Sequence, residues 1–331
     1  MDGRLTMKEY GYNLDQKTVK ALSELTPWRT GLAIAFDWTV IAAAIALSEW
    51  AGTWWALVAA WIVIGGRMHA LGILIHDFAH YRFIADKKRS EWIGDLLLAW
   101  PLFTFVDGYR KNHLAHHRYT NTEKDPDWVI KLGTLHFTFP QSWRYAVINL
   151  LGYLVGISSY RDLKSLLTRL SDDEGRSRTY KWLRLGYYLA FAAIFTVTGT
   201  WTGFILYWLL PFFTFFLLFL YVRSVAEHFG SMDYETELGS SRTVLPYLWE
   251  RAFFAPHNVN YHLDHHLYPS VPFYNLPRLH AALMAEPEYA AGAHVTRGYS
   301  TGLVRECLGI QAPTGKAQVA ARGTGSVLPA E

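Results

Sequence analysis

The stretch Leu71-Gly-Ile-Leu-Ile-His76-Asp-Phe-Ala-His80 brings a long apolar run to an end on two histidines. The run itself covers about residues 53–75, which is close to the roughly 20 residues that a helix needs to cross a ~30 Å hydrocarbon layer. Positions four apart lie on one face of a helix. The sequence therefore predicts a membrane span that presents two imidazoles at its end.

Three more apolar runs lie at about residues 32–48, 185–200 and 203–222. The break within each pair of runs is long enough only for a tight turn, so we expect two transmembrane hairpins. The composition agrees, because 51% of the 331 residues are hydrophobic, 16% are aromatic and only 18% are charged. Such a composition excludes a disordered chain and is unusual for a soluble enzyme. We predict an all-α integral membrane protein with four transmembrane helices.

Basic residues indicate the orientation of these spans. Of the 31 Lys and Arg residues, 29 lie in residues 1–31, 76–182 and 223–331, neither tight turn contains one, and Arg67 and Arg184 are the other two. By the positive-inside rule, both termini and the central segment are cytoplasmic. The expected parts are an N-terminal segment (1–30), a main domain (31–285) with a cytoplasmic helical cap (76–182 and 223–285), and a C-terminal segment (286–331) whose end, 311–331, is a disordered tail.

Two apolar stretches at 92–105 and 145–157 are too short to span a membrane, so we expect interfacial or re-entrant helices on the cytoplasmic face.

Composition and charge also exclude several kinds of segment, partner and site. Residues 1–30 show no signal peptide. A net charge of +3 gives no reason to expect a nucleic-acid partner. The single cysteine, Cys307, excludes an internal disulfide, a thiolate zinc site and an iron–sulfur cluster within the chain.

Histidines form three short clusters in the segments expected to be cytoplasmic. The second and third clusters share the pattern His-x-x-His-His. At this histidine content, chance would very rarely produce two copies of that pattern in one chain. Positions i, i+3 and i+4 share one helix face, so each cluster directs its imidazoles the same way. The clusters contain His76, His80, His113, His116, His117, His262, His265 and His266, and His228 stands alone.

Nine such histidines are too many for one tetrahedral zinc site, which uses four ligands. Two ions with four or five imidazoles each would use all nine. Imidazole also suits iron, copper and nickel, so ligand chemistry by itself does not choose the metal. The histidines outside the pattern are expected to be structural: His69, His136, His257, His280 and His294.

The clusters, with Asn260-Tyr before the third and Leu-Tyr-Pro269 after it, look like the histidine boxes of membrane fatty acid desaturases. The order and spacing of the boxes and the two hairpins match as well, so the resemblance covers roughly residues 30–285. It implies four transmembrane helices under a cytoplasmic cap that holds two irons. It also implies that the nine histidines named above are the ligands and that O2 is the co-substrate.

The sequence departs from the acyl-CoA desaturases at one position. Those enzymes place an asparagine four residues before the isolated histidine, where it contacts an iron-bound water, whereas this chain has Ser224. The pattern Arg223-x-x-x-Glu227-His228 is similar to short bacterial desaturase-like proteins and to the sphingolipid desaturase and carotenoid ketolase branches. The departure argues against acyl-CoA as the substrate.

Ligand imidazoles usually donate their second N–H to a carboxylate or carbonyl. Acidic residues within or beside the boxes are therefore candidates to orient the ligands. They are Asp77, Glu227 and Asp264, with Asp125 and Asp127 as weaker candidates after the second box. Ser224, Asn258 and Asn260 are candidates for the role of the missing asparagine.

Arg67 lies inside the second predicted span. An arginine within a membrane is costly and usually faces a partner or a cavity. We expect it to extend along the helix and reach the cytoplasmic interface. The alternative is a functional arginine that contacts a substrate head group or balances a buried carboxylate.

These observations predict a membrane-bound diiron oxidoreductase that uses O2 to oxidise C–H bonds of a lipid acyl chain, with desaturation as the expected outcome. Hydroxylation, ketolation and oxidative decarboxylation to a terminal alkene are alternatives that the histidines do not separate. A separate ferredoxin, or cytochrome b5 with its reductase, would supply electrons. A histidine-rich metal transporter fits less well because transporters hold ligands within the spans, and an inactive lipid-binding relative is a further alternative. The bacterial inner membrane is favoured over the endoplasmic reticulum.

Overall fold

The computed structural model describes residues 13–160 and 175–310. Over these ranges the protein is mostly helical, as the sequence predicts. Three of the described helices are long and apolar enough to cross a membrane: Pro27–Ala51, Trp54–Ala79 and Trp201–His228. They contain the first, second and fourth predicted spans, and each extends beyond its apolar run. The predicted disordered tail at 311–331 lies outside the described residues.

A short connection joins the first two long helices. Pro27 occupies the first position of the Pro27–Ala51 helix, where its fixed φ favours helix and no N–H is needed. The helix ends at Gly52, which adopts a left-handed conformation (φ 60°) and donates its N–H to the carbonyl of Ser48 (3.0 Å). The Trp54–Ala79 helix begins two residues later. The tight turn of the first hairpin is therefore as expected.

The second pair of helices begins with Arg178–Thr198, which is capped by the side chain of Ser177 and ends at Gly199 (φ 67°). Its first two turns carry three basic residues, which explains why its apolar part is shorter than those of the three helices above. Trp201–His228 follows and contains two wider π-helical turns, Ile205–Leu209 and Phe212–Phe216. These turns flank Pro211, which cannot donate a backbone N–H to the helix.

Between the two pairs, the described residues up to 160 form short helices. The apolar stretch at 92–105 is a broken helix, in which Lys87–Gly94 continues into a π turn and then a 3-10 turn. The stretch at 145–157 lies mainly on a helix whose outer face is apolar and exposed. The other helices of the segment carry or follow the second histidine box. The helices are Lys87–Gly94, Val106–Tyr119, Pro126–Val129 and Trp143–Leu154.

In the described residues up to 310, short helices and two strands follow the last long helix. The strands Thr243–Leu245 and Val295–Arg297 pair in parallel, with Thr243 opposite Val295. This small sheet is absent from the all-α prediction, and it joins the C-terminal segment to the region that carries the third box. The helices are Leu248–Phe253, His262–Leu267, Leu276–Met284, Pro287–Gly292 and Val304–Cys307, and Gln16–Leu22 lies near the N-terminus.

The Trp54–Ala79 helix is central to the packing, since nearly all residues of its second half are buried. It approaches the last long helix closely at Gly65, where an added Cβ would lie 2.5 Å from Cβ of Phe215. Only glycine permits this approach without a shift of the neighbouring helix. The close contact brings the ends of the two helices, and with them His76 and His228, to the same end of the structure.

Candidate metal centre

The structure gathers the nine histidines of the sequence prediction into two neighbouring groups. In each group the ligand-type atoms all lie within 4.8 Å of one another. The rings of His117 and His266, one from each group, stack with centroids 4.2 Å apart. We call the first the five-histidine group, which contains His76, His80, His113, His117 and His265, and the second the four-histidine group, which contains His116, His228, His262 and His266.

Four helices position these rings. His76 lies in the last turn of Trp54–Ala79, and His80 caps that helix. The second box lies on Val106–Tyr119, His228 is the last residue of the Trp201–His228 helix, and the third box lies on His262–Leu267. The second and third boxes each divide between the two groups. Within one box the i and i+4 histidines pair, as His113 and His117 do.

The Nε2 atoms converge within each group. In the five-histidine group, Nε2 of His113 lies 2.9 Å from those of His80 and His117, and His117 lies 3.1 Å from His265. In the four-histidine group the corresponding distances are 3.0, 2.8 and 3.0 Å along the order His116, His228, His262, His266. Nε2 of His76 is buried and has no hydrogen-bond partner.

The opposite ring nitrogens of the four-histidine group have protein partners. Nδ1 of His116 donates to Asp125 at 2.8 Å, and Nδ1 of His228 donates to the carbonyl of Ser240 at 3.3 Å. Nδ1 of His262 lies 3.3 Å from a carboxylate oxygen of Glu227, and Nδ1 of His266 lies 3.4 Å from Oγ1 of Thr120. Because the carboxylate of Asp125 and the carbonyl of Ser240 accept hydrogen bonds, they place the protons of His116 and His228 on Nδ1 and leave Nε2 of each ring as a lone pair.

Converging lone pairs are unfavourable without a cation between them. His116 and His228 present two such Nε2 atoms 3.0 Å apart, and protonating both would instead place two cations in contact. Two nitrogens bound at right angles to one ion, each about 2.1 Å away, would be about 3.0 Å apart, whereas tetrahedral binding would separate them by about 3.4 Å. The observed spacings fit nitrogens that share a metal ion.

Burial favours the neutral form of five of the clustered imidazoles. Burial lowers the pKa of His80 to about 3 and that of His117 to about 2. Burial, reinforced by the neighbouring imidazoles, also holds the pKa values of His113, His265 and His266 well below the ordinary range. Neutral imidazole is the form that binds metals.

Among the candidate orienting residues, Asp125 and Glu227 contact ligand-type imidazoles directly. Asp125 is fully buried and also accepts backbone N–H groups of Asn121, Asp127 and Trp128. Asp77 accepts the N–H of Phe273, and its other oxygen is 3.7 Å from Nδ1 of His76. Of the acidic candidates, Asp125, which we ranked as weaker, therefore makes the shortest contact.

Other candidates lie nearby but bind elsewhere. Asp264 accepts hydrogen bonds from Thr243, His280 and Tyr289 rather than from the clustered imidazoles. Asn258 donates to the carbonyl of Phe273, and Asn260 donates to that of Val244. Ser224 accepts a hydrogen bond from Lys131, which also binds Asp127.

Arg67 is buried and pairs with a carboxylate from the first long helix. Its Nη1 donates to Asp37 at 2.9 Å, and its Nη2 donates to the carbonyl of Ala252. His257 binds the other oxygen of Asp37 at 2.7 Å. Arg67 therefore balances a buried carboxylate. It does not extend along the helix to the cytoplasmic interface.

Three residues that contact the histidines or Arg67 were not predicted from the sequence. Asp37 could have been recognised, because a carboxylate within an apolar run needs a partner. Thr120 and the Ser240 carbonyl contact His266 and His228, and neither residue type stands out in a sequence. The histidines expected to be structural all lie outside the two groups.

Fold and site together define a mostly helical, membrane-associated protein with two adjoining clusters of histidines. The family model for fatty acid desaturases matches residues 52–298. Relatives include the dihydrorhizobitoxine desaturase of Bradyrhizobium elkanii, 31% identical over 82% of this chain and 80% of the relative. The sn-1 oleoyl-lipid 12-desaturase of Arthrospira platensis is 24% identical over 67% of each chain. An omega-3 fatty acid desaturase of Caenorhabditis elegans is 24% identical over 72% of this chain and 63% of the relative.

The chain belongs to the fatty acid desaturase family. The resemblance found in the sequence is thereby confirmed, and so is the prediction of an oxidoreductase of the fatty acid desaturase type. Function as a membrane lipid desaturase agrees better with the family and its relatives than transport or another oxidation does.

Proposed function

We propose that the two histidine groups each bind one iron ion, with all nine histidines as ligands. The converging Nε2 atoms carry this proposal, because buried lone pairs about 3 Å apart need a cation between them. Asp125, Glu227 and the Ser240 carbonyl would hold three of the ligand rings in place.

The proposed topology has four spans with the histidines on the cytoplasmic side. The Arg178–Thr198 helix supplies the remaining span, since 21 residues extend about 31 Å. Its apolar side chains are largely exposed, for example Ile194 at 53% and Val197 at 87%, and lipid is the natural cover for such a surface. The basic residues outside the spans support cytoplasmic termini and a cytoplasmic cap. The membrane in this proposal is a bacterial inner membrane.

The proposed reaction removes two hydrogens from adjacent carbons of a lipid acyl chain. One O2, two electrons and two protons are consumed together with these hydrogens, and one double bond and two water molecules form. Bound iron supplies with O2 the oxidant that an unactivated C–H bond requires. The chain's own part is to hold the imidazoles neutral, to orient them through Nδ1, and to keep bulk water away from the buried groups.

Electrons come from a separate donor, either a ferredoxin or cytochrome b5 with its reductase. The one cysteine of the chain, Cys307, is too few for an iron–sulfur cluster. An acyl chain that is not carried by coenzyme A is favoured by Ser224, which stands where acyl-CoA desaturases have asparagine. The names of two relatives, an oleoyl-lipid 12-desaturase and an omega-3 fatty acid desaturase, support the acyl substrate.

The proposed catalytic domain extends from about residue 31 past the boundary at 285 that the sequence suggested. Residues 295–297 pair with the strand at 243–245, and side chains as far as Glu306 form buried contacts with it and its neighbours. Residues 1–30 are an N-terminal cytoplasmic segment in this proposal.

The test is gas chromatography with mass spectrometry of total lipids and headspace volatiles from cells that express the protein together with a ferredoxin and its reductase. His113→Ala serves as the control, because it removes one ligand of the five-histidine group. A new unsaturated fatty acid that appears with the wild type alone is the expected result. A hydroxylated acyl chain, a ketone or a volatile 1-alkene would replace desaturation with another oxidation.

A further inference from the structure

Arg242 lies outside all three histidine boxes, yet it contacts the end of the helix that carries His228. Its side chain is fully buried, and Nη1 donates to the carbonyls of Ala226 (2.9 Å) and Val225 (3.3 Å). Its backbone N–H donates to the carbonyl of Glu227 at 3.0 Å. The last carbonyls of a helix lack partners within the helix and carry partial negative charge. Arg242 therefore caps this helix with a cation.

The segment that contains Arg242 also orients the ring of His228. The carbonyl of Ser240, two residues before Arg242, accepts the Nδ1–H of His228 at 3.3 Å. Nδ2 of Asn121 donates to the same carbonyl at 2.6 Å. A shift of Arg242 would therefore displace both the backbone that carries His228 and the group that fixes its imidazole.

A carboxylate from the C-terminal segment balances Arg242. Oε2 of Glu306 lies 2.8 Å from Nη2 of Arg242, and both side chains are almost completely buried. Thr296 donates to Oε1 of Glu306 at 2.6 Å, and His294 contacts Oε2 at 3.0 Å. Burial raises the pKa of Glu306, but these hydrogen bonds and the charge of Arg242 outweigh it and hold the pKa below the ordinary value. A buried arginine without its carboxylate would be strongly destabilised.

We propose that Glu306, acting through Arg242, is a positioning residue for His228, so that the C-terminal segment helps to build the four-histidine group. The proposal rests on the proposed function, because it takes His228 to be an iron ligand. Glu306 lies beyond residue 298, where the match to the family ends, and it is absent from every candidate that the sequence suggested.

The chain offers a matched control in Glu250. This carboxylate is also buried, and it holds the same C-terminal segment by accepting the N–H groups of Tyr299 (3.1 Å) and Ser300 (2.7 Å). Its hydrogen bonds do not involve Arg242 or the clustered histidines. Glu250→Gln therefore weakens the attachment of the segment without removing the counter-charge of Arg242.

The experiment titrates detergent-purified apo-protein with Fe²⁺ and compares Glu306→Gln, Glu250→Gln and the wild type. A lost orienting interaction typically lowers metal affinity by 10–100-fold. Since Glu306 acts through Arg242, we expect about a tenfold loss at one of two sites in Glu306→Gln. Mössbauer spectra with ⁵⁷Fe should show one of two ferrous environments altered. Glu250→Gln should bind both ions as the wild type does.

Thr296→Val is a milder variant, because it removes one hydrogen bond to Glu306 and keeps the charge. It should change the same site in the same direction by less, and it provides the test if Glu306→Gln does not fold. Wild-type affinity and spectra in the variants would overturn the proposal and leave the proposed function intact. Equal losses at both sites in all three variants would also overturn it, as they would indicate general loss of stability. Fewer than two ions in the wild type would instead contradict the proposed function itself.

Discussion

Replacing Asp125 with asparagine removes the negative charge that accepts the Nδ1–H of His116 at 2.8 Å. Asp125 is fully buried, so water cannot take over this role. An amide oxygen can still accept the backbone N–H groups of Asp127 and Trp128, which keeps the local turn. Loss of a partner of this kind lowers metal affinity by about 10–100-fold, which corresponds to about 1.4–2.7 kcal/mol. We expect the loss at the four-histidine group alone.

The assay is an Fe²⁺ titration of the apo-protein against a competing chelator, with Asp264→Asn as the matched control. Both carboxylates are fully buried and both lie close to histidine boxes. Asp264, however, binds Thr243, His280 and Tyr289. Asp125→Asn should weaken one of two sites and Asp264→Asn neither. Equal effects of the two substitutions, or none from Asp125→Asn, would refute the assignment of Asp125 as the residue that orients His116.

Three further predictions concern the ion pair in the spans, pH and topology. Arg67→Met should lower the free energy of unfolding by about 3–5 kcal/mol, because it removes the arginine from buried Asp37 and leaves His257 as the remaining side-chain partner of that carboxylate. The double variant Asp37→Leu/Arg67→Met should recover part of this loss, and an equally unstable double variant would contradict the pairing. Burial lowers the pKa of His80 from 6.5 to about 3. Between pH 3 and pH 6.5 this imidazole therefore binds a proton in the unfolded chain but not in the folded one. The denaturation midpoint of the apo-protein should thus be constant above about pH 7 and fall as the pH drops below about 6.5; equal midpoints at pH 5 and 7.5 would exclude this. In a cysteine-free background, Thr200→Cys should react with an impermeant maleimide in intact cells and Lys124→Cys only after permeabilisation, and the reverse pattern would overturn the orientation.

The sequence was most informative where one residue type repeats at helical spacing. His-x-x-His-His predicts which rings share a helix face, and the structure brings all nine selected histidines into the two groups. Their division between the groups was not predictable. The second and third boxes each contribute to both groups, and this depends on how helices distant in sequence pack together.

Residues that act through backbone groups or distant partners gave the weakest signal. Asp264 lies between two boxed histidines in sequence, but its carboxylate binds elsewhere, whereas Asp125 lies eight residues after the second box and contacts His116. The helix cap from Arg242 and the counter-charge from Glu306 join segments more than 60 residues apart. Only tertiary structure reveals such pairings, because neither residue forms a pattern with its sequence neighbours.

Apolar runs predicted the long helices well but not their lengths or irregularities. The second helix continues to Ala79 and so carries His76 within its last turn, which a hydropathy limit at residue 75 does not show. The π turns beside Pro211 and the small parallel sheet depend on local packing. Short strands of three residues have too little pattern to be recognised from sequence.

Metal analysis of the purified protein tests the central claim most directly. Protein from iron-replete cells should contain two irons per chain by mass spectrometry, and His116→Ala should retain fewer than the wild type. Two irons would support a centre in which each histidine group holds one ion. Zinc in place of iron, or at most one ion per chain after reconstitution with Fe²⁺ under anaerobic conditions, would contradict the account.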